Sequence, residues 1–177
     1  MCAAAGEACM TADLPLGSGK TQSPEDYVRT LSATSGLPHT LCRRNMAKVN
    51  TVFTEMDAVL RGLTRGLDLS VLDAPVATHD GMPLSFARTA SALGVVLPSN
   101  SPGVNSIWMP AIALKVPVVL KPGREEPFTP WRIVQAFIAA GIPREAFGFY
   151  PTDQAGAATF LEHCDRAIVF GDARTTS

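Results

Sequence analysis

Short apolar runs separated by polar turns fill the second half of the chain, whereas apolar residues recur at helical intervals in the first half. Ser23-Pro24-Glu25-Asp26 reads as a helix start, with serine as N-cap, proline at the first helical position and acids in the first turn. That helix is predicted to close near Ser35-Gly36, ahead of Pro38. Leu41, Met46, Val49, Phe53, Met56 and Leu60 then predict a longer helix from about Thr40 to Leu60, broken by Gly62 and Gly66. Residues 73–87, with Pro75, Gly81 and Pro83, read as irregular.

From Gly94 the pattern changes. Gly94-Val95-Val96-Leu97 and Pro117-Val118-Val119-Leu120 are short continuous apolar runs of the kind a buried parallel strand requires. Between them a helix is predicted from Val104 to Leu114, kinked at Pro110. Thr129-Pro130 reads as the N-cap and first position of a helix from Trp131 to Ala140, closed by Gly141 and Pro143. Strands at Phe147–Tyr150 and Ala167–Phe170 flank a further helix over residues 155–162. The alternation predicts an α/β fold: a partial Rossmann-like parallel sheet with flanking helices, preceded by an N-terminal helical segment. Three regions follow from this: a flexible tail over 1–22, the helical segment over 23–90, and an incomplete α/β domain over 91–177. The chain ends inside a third strand-end turn, Phe170 to Arg174, and so reads as the front part of a larger nucleotide-binding unit.

Composition narrows the function. With 46% hydrophobic and 18% charged residues the chain can build a core and is not of disordered type. A net charge of -1 leaves no electrostatic footprint for nucleic acid or a membrane surface. No apolar run nears the roughly 20 residues of a membrane span, and the N-terminus lacks the basic start of a signal peptide. Cys2, Cys9, Cys42 and Cys164 show neither CxxC spacing nor the density of a disulfide framework, so a reduced, cytoplasmic protein is expected. No His/Cys cluster has metal-ligand spacing.

Gly17-Ser18-Gly19-Lys20-Thr21 resembles a P-loop only in part. Leu14 stands where the pattern needs its first glycine, and Pro24 interrupts the helix that should follow. The stronger candidates lie at the strand ends. Asn100 offers a side-chain amide to a developing oxyanion, and equally suits an Asx-turn between two prolines. Lys121 places an ammonium at a carboxyl strand end, where a ligand or plain solvent would meet it. Cys164 neighbours His163, but adjacent helical residues do not face each other, which argues against an activated pair.

Residues 94–174 resemble the aldehyde dehydrogenase superfamily in the first part of its NAD(P)-binding domain. The resemblance rests on Pro98-Ser99-Asn100-Ser101-Pro102, on the ungapped segment from Pro110 to Pro122, on Gly141-Ile142-Pro143 through Pro151, and on Phe170-Gly171-Asp172. The Ser-Pro-Gly after Asn100 leans toward acyl-CoA reductase-like members. The resemblance implies an NAD(P)-dependent oxidoreductase acting on an aldehyde or acyl thioester through a cysteine thioester, here a fragment without the catalytic cysteine. A non-catalytic nucleotide-binding or interaction module is the rival. The resemblance implies Asn100 as the oxyanion donor, and cofactor contacts from Leu97, Pro98, Ser99, Lys121, Gly123, Arg124, Gly171 and Asp172. A homo-oligomer is expected for a full-length member. Three departures matter: Arg124 stands where the family has a ribose-binding Glu, Asp172 where it has Ser, and Thr152 and Gln154 where it tends to have glycines. Arg124 favours a 2′-phosphate, which tilts the expected cofactor from NAD toward NADP.

Overall fold

A computed structural model gives the fold, and it describes residues 1–74 and 76–171. Four parallel strands form the central sheet: β5 (Leu93–Val96), β6 (Val118–Lys121), β7 (Phe147–Phe149) and β8 (Arg166–Val169), in the order β7-β6-β5-β8. Val95, Val118 and Leu120 are fully buried on one face, under α5 (Met109–Ala113) and α6 (Phe128–Ala139). The opposite face carries Gly94 and Gly148, and α7 (Gln154–Glu162) lies on it. A Cβ on Gly94 would stand 2.9 Å from the Cys164 sulfur and 3.0 Å from Phe160. Helices on both faces of a parallel sheet give the expected α/β class.

The N-terminal residues depart most from the sequence expectation. Instead of a flexible tail, residues 1–22 form α1 (Cys2–Thr11) and a hairpin of β1 (Leu14–Gly17) and β2 (Lys20–Gln22), with Ala5, Cys9 and Leu14 buried. The run of small residues gives no amphipathic period, yet alanine is the strongest helix former and a small-residue face lets helices approach closely. A Cβ on Gly6 would lie 2.7 Å from Asn50 and 2.9 Å from Phe53 of α3 (His39–Thr54). The Gly17-Ser18-Gly19 stretch is the hairpin turn, all three residues with positive φ, and leads into a strand, unlike a phosphate loop.

α2 (Pro24–Ser35) starts and stops as the sequence predicts. Ser23 accepts the Asp26 N–H at 3.1 Å, and Gly36 closes the helix at φ 74°. The longer helix is divided at Glu55 into α3 and α4 (Met56–Leu63). Thr51 and Thr54 turn their hydroxyls onto Ala47 and Thr51 carbonyls, which competes with the helical ladder just before the break. The irregular 73–87 region contains a second hairpin, β3 (Ala77–His79) with β4 (Met82–Leu84), turned at Asp80-Gly81 with both φ positive. The helix predicted over 104–114 is a 3-10 segment, Pro102–Ile107, followed by the short α5, in which Pro110 occupies the first turn and causes no kink. Thr129 does not cap α6. Its own N–H is capped by the Glu126 carboxylate at 2.9 Å.

A buried arginine ties these layers together. Arg132 on α6 donates to the carbonyls of Cys9, Ala12 and Gln22 at 2.8 to 2.9 Å, and its guanidinium lies 5.7 Å from the Tyr27 ring centre. Burial alone would disfavour this charge, and three carbonyl dipoles offset it. The N-terminal helix and hairpin are thus fastened to the sheet's own helix.

Candidate functional site

The strand order reverses around β5. From β5 the chain moves outward through β6 to β7, then crosses to β8 on the other side. In open parallel sheets a crevice forms at the carboxyl ends of the strands where such a reversal occurs. Leu97 to Asn100 leave β5 at that point, Lys121 to Arg124 leave β6, and Phe170-Gly171 leave β8. Backbone hydrogen bonds hold the three exits in register: Leu97 N–H to Lys121 O at 2.9 Å and Phe170 N–H to Val96 O at 3.0 Å.

Two turns touch directly. A Cβ on Gly123 would stand 2.5 Å from the Pro98 carbonyl oxygen and 2.6 Å from the Ser99 nitrogen, so only glycine lets these backbones meet. The Glu125 N–H reaches the Ser99 hydroxyl at 3.4 Å, and that hydroxyl holds the Glu125 carboxyl below its ordinary range. Leu97 and Gly123 are buried, Pro98, Ser99 and Lys121 half-buried, and Asn100, Arg124 and Gly171 exposed. The structure therefore brings Leu97, Pro98, Ser99, Asn100, Lys121, Gly123 and Arg124 to one end of the sheet, with Gly171 on its β8 side. Asp172 lies outside the described residues.

Two supporting residues, Asn105 and Glu126, escaped the sequence reading, and a third, Thr129, has a role other than the cap expected of it. Asn105 is buried and clamps the segment after Asn100, donating to Pro102 O and accepting from Trp108 Nε1, both at 2.9 Å. An asparagine three residues before a tryptophan is too common a spacing to reveal this. Glu126 is fully buried. Its Oε1 caps α6, its Oε2 has no hydrogen-bond partner, and burial pushes its carboxyl up to about 7. Thr129 bonds the Tyr27 hydroxyl at 2.6 Å in the same buried layer. A carboxylate in a turn reads as exposed in sequence, so its burial was not foreseeable.

The cysteines show no activation. Burial raises the thiols of Cys2, Cys42 and Cys164 and pushes that of Cys9 up to about 11. His163 directs Nδ1 to Thr159 O at 2.7 Å, while the Cys164 sulfur faces Gly94. Gly156 sits tight against the Thr152 side chain and is explained by the first turn of α7 itself. Among the described residues no group of His, Cys, Asp or Glu is arranged to hold a metal ion, and no helix is long and apolar enough to cross a membrane. On the α7 side of the sheet an apolar groove of about 710 Å³ runs past Val119, Tyr150, Gly156 and Phe160.

An open parallel α/β sheet with polar and basic side chains at a strand-order reversal has the architecture in which ligands bind at the strand ends. The chain belongs to the aldehyde dehydrogenase family, whose sequence model matches residues 21–171. No curated protein matches it by sequence. Among solved structures it is similar to an oxidoreductase from Marinobacter aquaeolei, with a TM-score of 0.62 and 16% identity. The match covers 95% of this chain and 31% of that one, so the chain spans about a third of the length of its relative.

Proposed function

We propose that this chain is the cofactor-side part of an NAD(P)-dependent oxidoreductase that handles an aldehyde or an acyl thioester through a cysteine thioester. The supporting observation is the contact of the Leu97–Asn100 and Lys121–Arg124 turns through Gly123, at the reversal of strand order, in a member of this family. The side chains present fit a phosphorylated ribose. Lys121 and Arg124 supply only N–H donors, and an arginine forks onto phosphate oxygens, which favours NADP over NAD. The groove beside Tyr150 and Phe160 is apolar and wide enough for a planar base.

When bound, the dinucleotide supplies the hydride acceptor or donor. The chain's own residues act around it. Asn100, exposed at the end of β5, presents its amide N–H to the oxygen that becomes negative when a thiolate attacks the carbonyl. Such a donor contributes about 2.7–4 kcal/mol in sites of this kind. Asn105 and Trp108 hold the following segment, and Gly123 sets the spacing of the two turns. The thiolate comes from outside this chain, because its four thiols are raised and none borders Asn100. The chain by itself is then inactive, and the intact enzyme is an oligomer working in the cytoplasm. A second reading is a non-catalytic nucleotide-binding or interaction module, in keeping with four thiols that burial raises.

Titration of the ¹⁵N-labelled chain with 2′,5′-ADP and with 5′-AMP tests the site. Amide shifts at Leu97, Ser99, Asn100, Lys121, Gly123, Arg124 and Gly171, stronger for 2′,5′-ADP, are expected. No shift at these residues with either ligand would sink the cofactor site. Aldehyde-dependent NAD(P)H formation by the chain alone would overturn the claim that the nucleophile lies elsewhere.

A further inference from the structure

Glu126 is an anomaly of placement. It follows the Lys121–Glu125 turn directly and has no exposed surface, yet only one of its carboxylate oxygens has a partner. That partner is the N–H of Thr129 at the start of α6. Its own N–H closes the turn on Gly123 O at 3.3 Å, and Gly123 is the residue wedged against Pro98. The groups facing the carboxyl are the Tyr27 phenol from α2 and the Cys42 thiol from α3, both raised by burial and so neutral through the neutral range. On α6 itself Arg132 is engaged by the carbonyls of Cys9, Ala12 and Gln22. On the turn, Arg124 and Glu125 are exposed and Lys121 half-buried. Among the described residues Glu126 enters no ion pair.

We propose that Glu126 is a proton-controlled latch: as a neutral acid it stays packed and holds the Lys121–Glu125 turn closed against Pro98-Ser99, and as a carboxylate it draws water to Oε2 and loosens that turn. A buried anion with one hydrogen bond is costly, and the cheapest relief is access of solvent to its free oxygen. The irregular backbone it is bonded to is the turn, through Gly123 O, while Tyr27, Cys42 and Thr129 belong to helices α2, α3 and α6. The carboxyl's displacement to about 7 places the change within the physiological range. The inference concerns the shape of the turn and holds whatever the turn binds.

The test follows the Glu126 ¹³Cδ resonance and the backbone amides of Lys121 and of residues 123–126 across pH 5 to 9 in the wild-type 177-residue chain. The expected result is one shared midpoint near neutrality for the carboxyl and for the amides of Gly123, Arg124 and Glu125. Exchange of the Glu126 N–H, corrected for hydroxide catalysis, should rise by up to about tenfold per pH unit on the approach to that midpoint and level off above it, as an opening linked to one proton requires. Glu126→Gln keeps the acceptor for Thr129 and should abolish the extra exchange. A carboxyl midpoint in the ordinary carboxylate range overturns the proposal, as does a neutral midpoint that the turn amides do not follow. Both results come from the wild-type chain, so the decision stands even where the variant fails to fold. PH-linked exchange that persists in a folded Glu126→Gln overturns it as well.

Discussion

Gly123 is the residue on which the site geometry depends most directly. Its missing Cβ lets two strand-end turns meet at backbone distance, and the atoms it would strike belong to the Pro98-Ser99 peptide, which has no rotamer to yield. Gly123→Ala should therefore cost about 1–3 kcal/mol, as overpacking does, and spread the turns, read as a lowered urea midpoint and weakened 2′,5′-ADP binding. Asn105→Ala leaves the buried Trp108 N–H without an acceptor and should cost about 1–3 kcal/mol by the same urea measurement. Glu126 sets the sign of the pH dependence. Its carboxyl rises from 4.5 to about 7 on folding, so the unfolded chain ionises first. Stability is full below about 4.5, falls by roughly 3 kcal/mol as pH climbs to about 7, and is level above. Asp26, Asp68, Glu125 and Asp165 shift the other way but are exposed, and act below their ordinary range. Urea midpoints at pH 5 and 8 should differ in the wild type and converge in Glu126→Gln.

At the scale of elements, legibility followed the physical cause of each. The strands of the central sheet were plain because a strand covered by helices on both faces leaves a short continuous apolar run, and Ser23-Pro24 announced α2 because a cap is a local event. The N-terminal helix and hairpin were illegible because what holds them is remote: Gly6 against Asn50, and Arg132 some 120 residues away from Ala12. The division at Glu55 was hidden for a related reason, since the apolar period runs on through it while threonine hydroxyls undercut the ladder. The position of Asn100 and Lys121 at one end of the sheet was legible from strand ends alone, whereas the clamp of Asn105 and the burial of Glu126 required the packed structure. Arg132→Met tests the fastening of the N-terminal elements. It leaves three carbonyls without a donor, should cost about 3 kcal/mol or more, and should expose residues 12–22 to limited proteolysis before the sheet unfolds. Equal protection of that segment in the variant would show that apolar packing alone holds it.

Across the whole molecule, most of the buried apolar residues fall into two clusters. The larger joins the sheet to α1, α3 and α6, and the smaller groups Tyr27, Val28 and Leu31 of α2 with Cys42 and Met46 of α3. β8 stands at the end of the strand order and, among the described residues, pairs on one side only. Deleting residues 1–22 removes Ala5, Cys9 and Leu14 from the larger cluster, and the shortened chain should lose its cooperative thermal transition. A dispensable tail would leave that transition where it was. The cysteines give this architecture an unplanned use. Cys9 lies in the larger cluster and Cys42 in the smaller, each almost sealed from solvent, while Cys2 and Cys164 are partly accessible. Brief pulses of an alkylating reagent, resolved by peptide mass, would time-stamp when each cluster first admits a small electrophile, so the chain carries two native clocks for its own opening and needs no introduced dye.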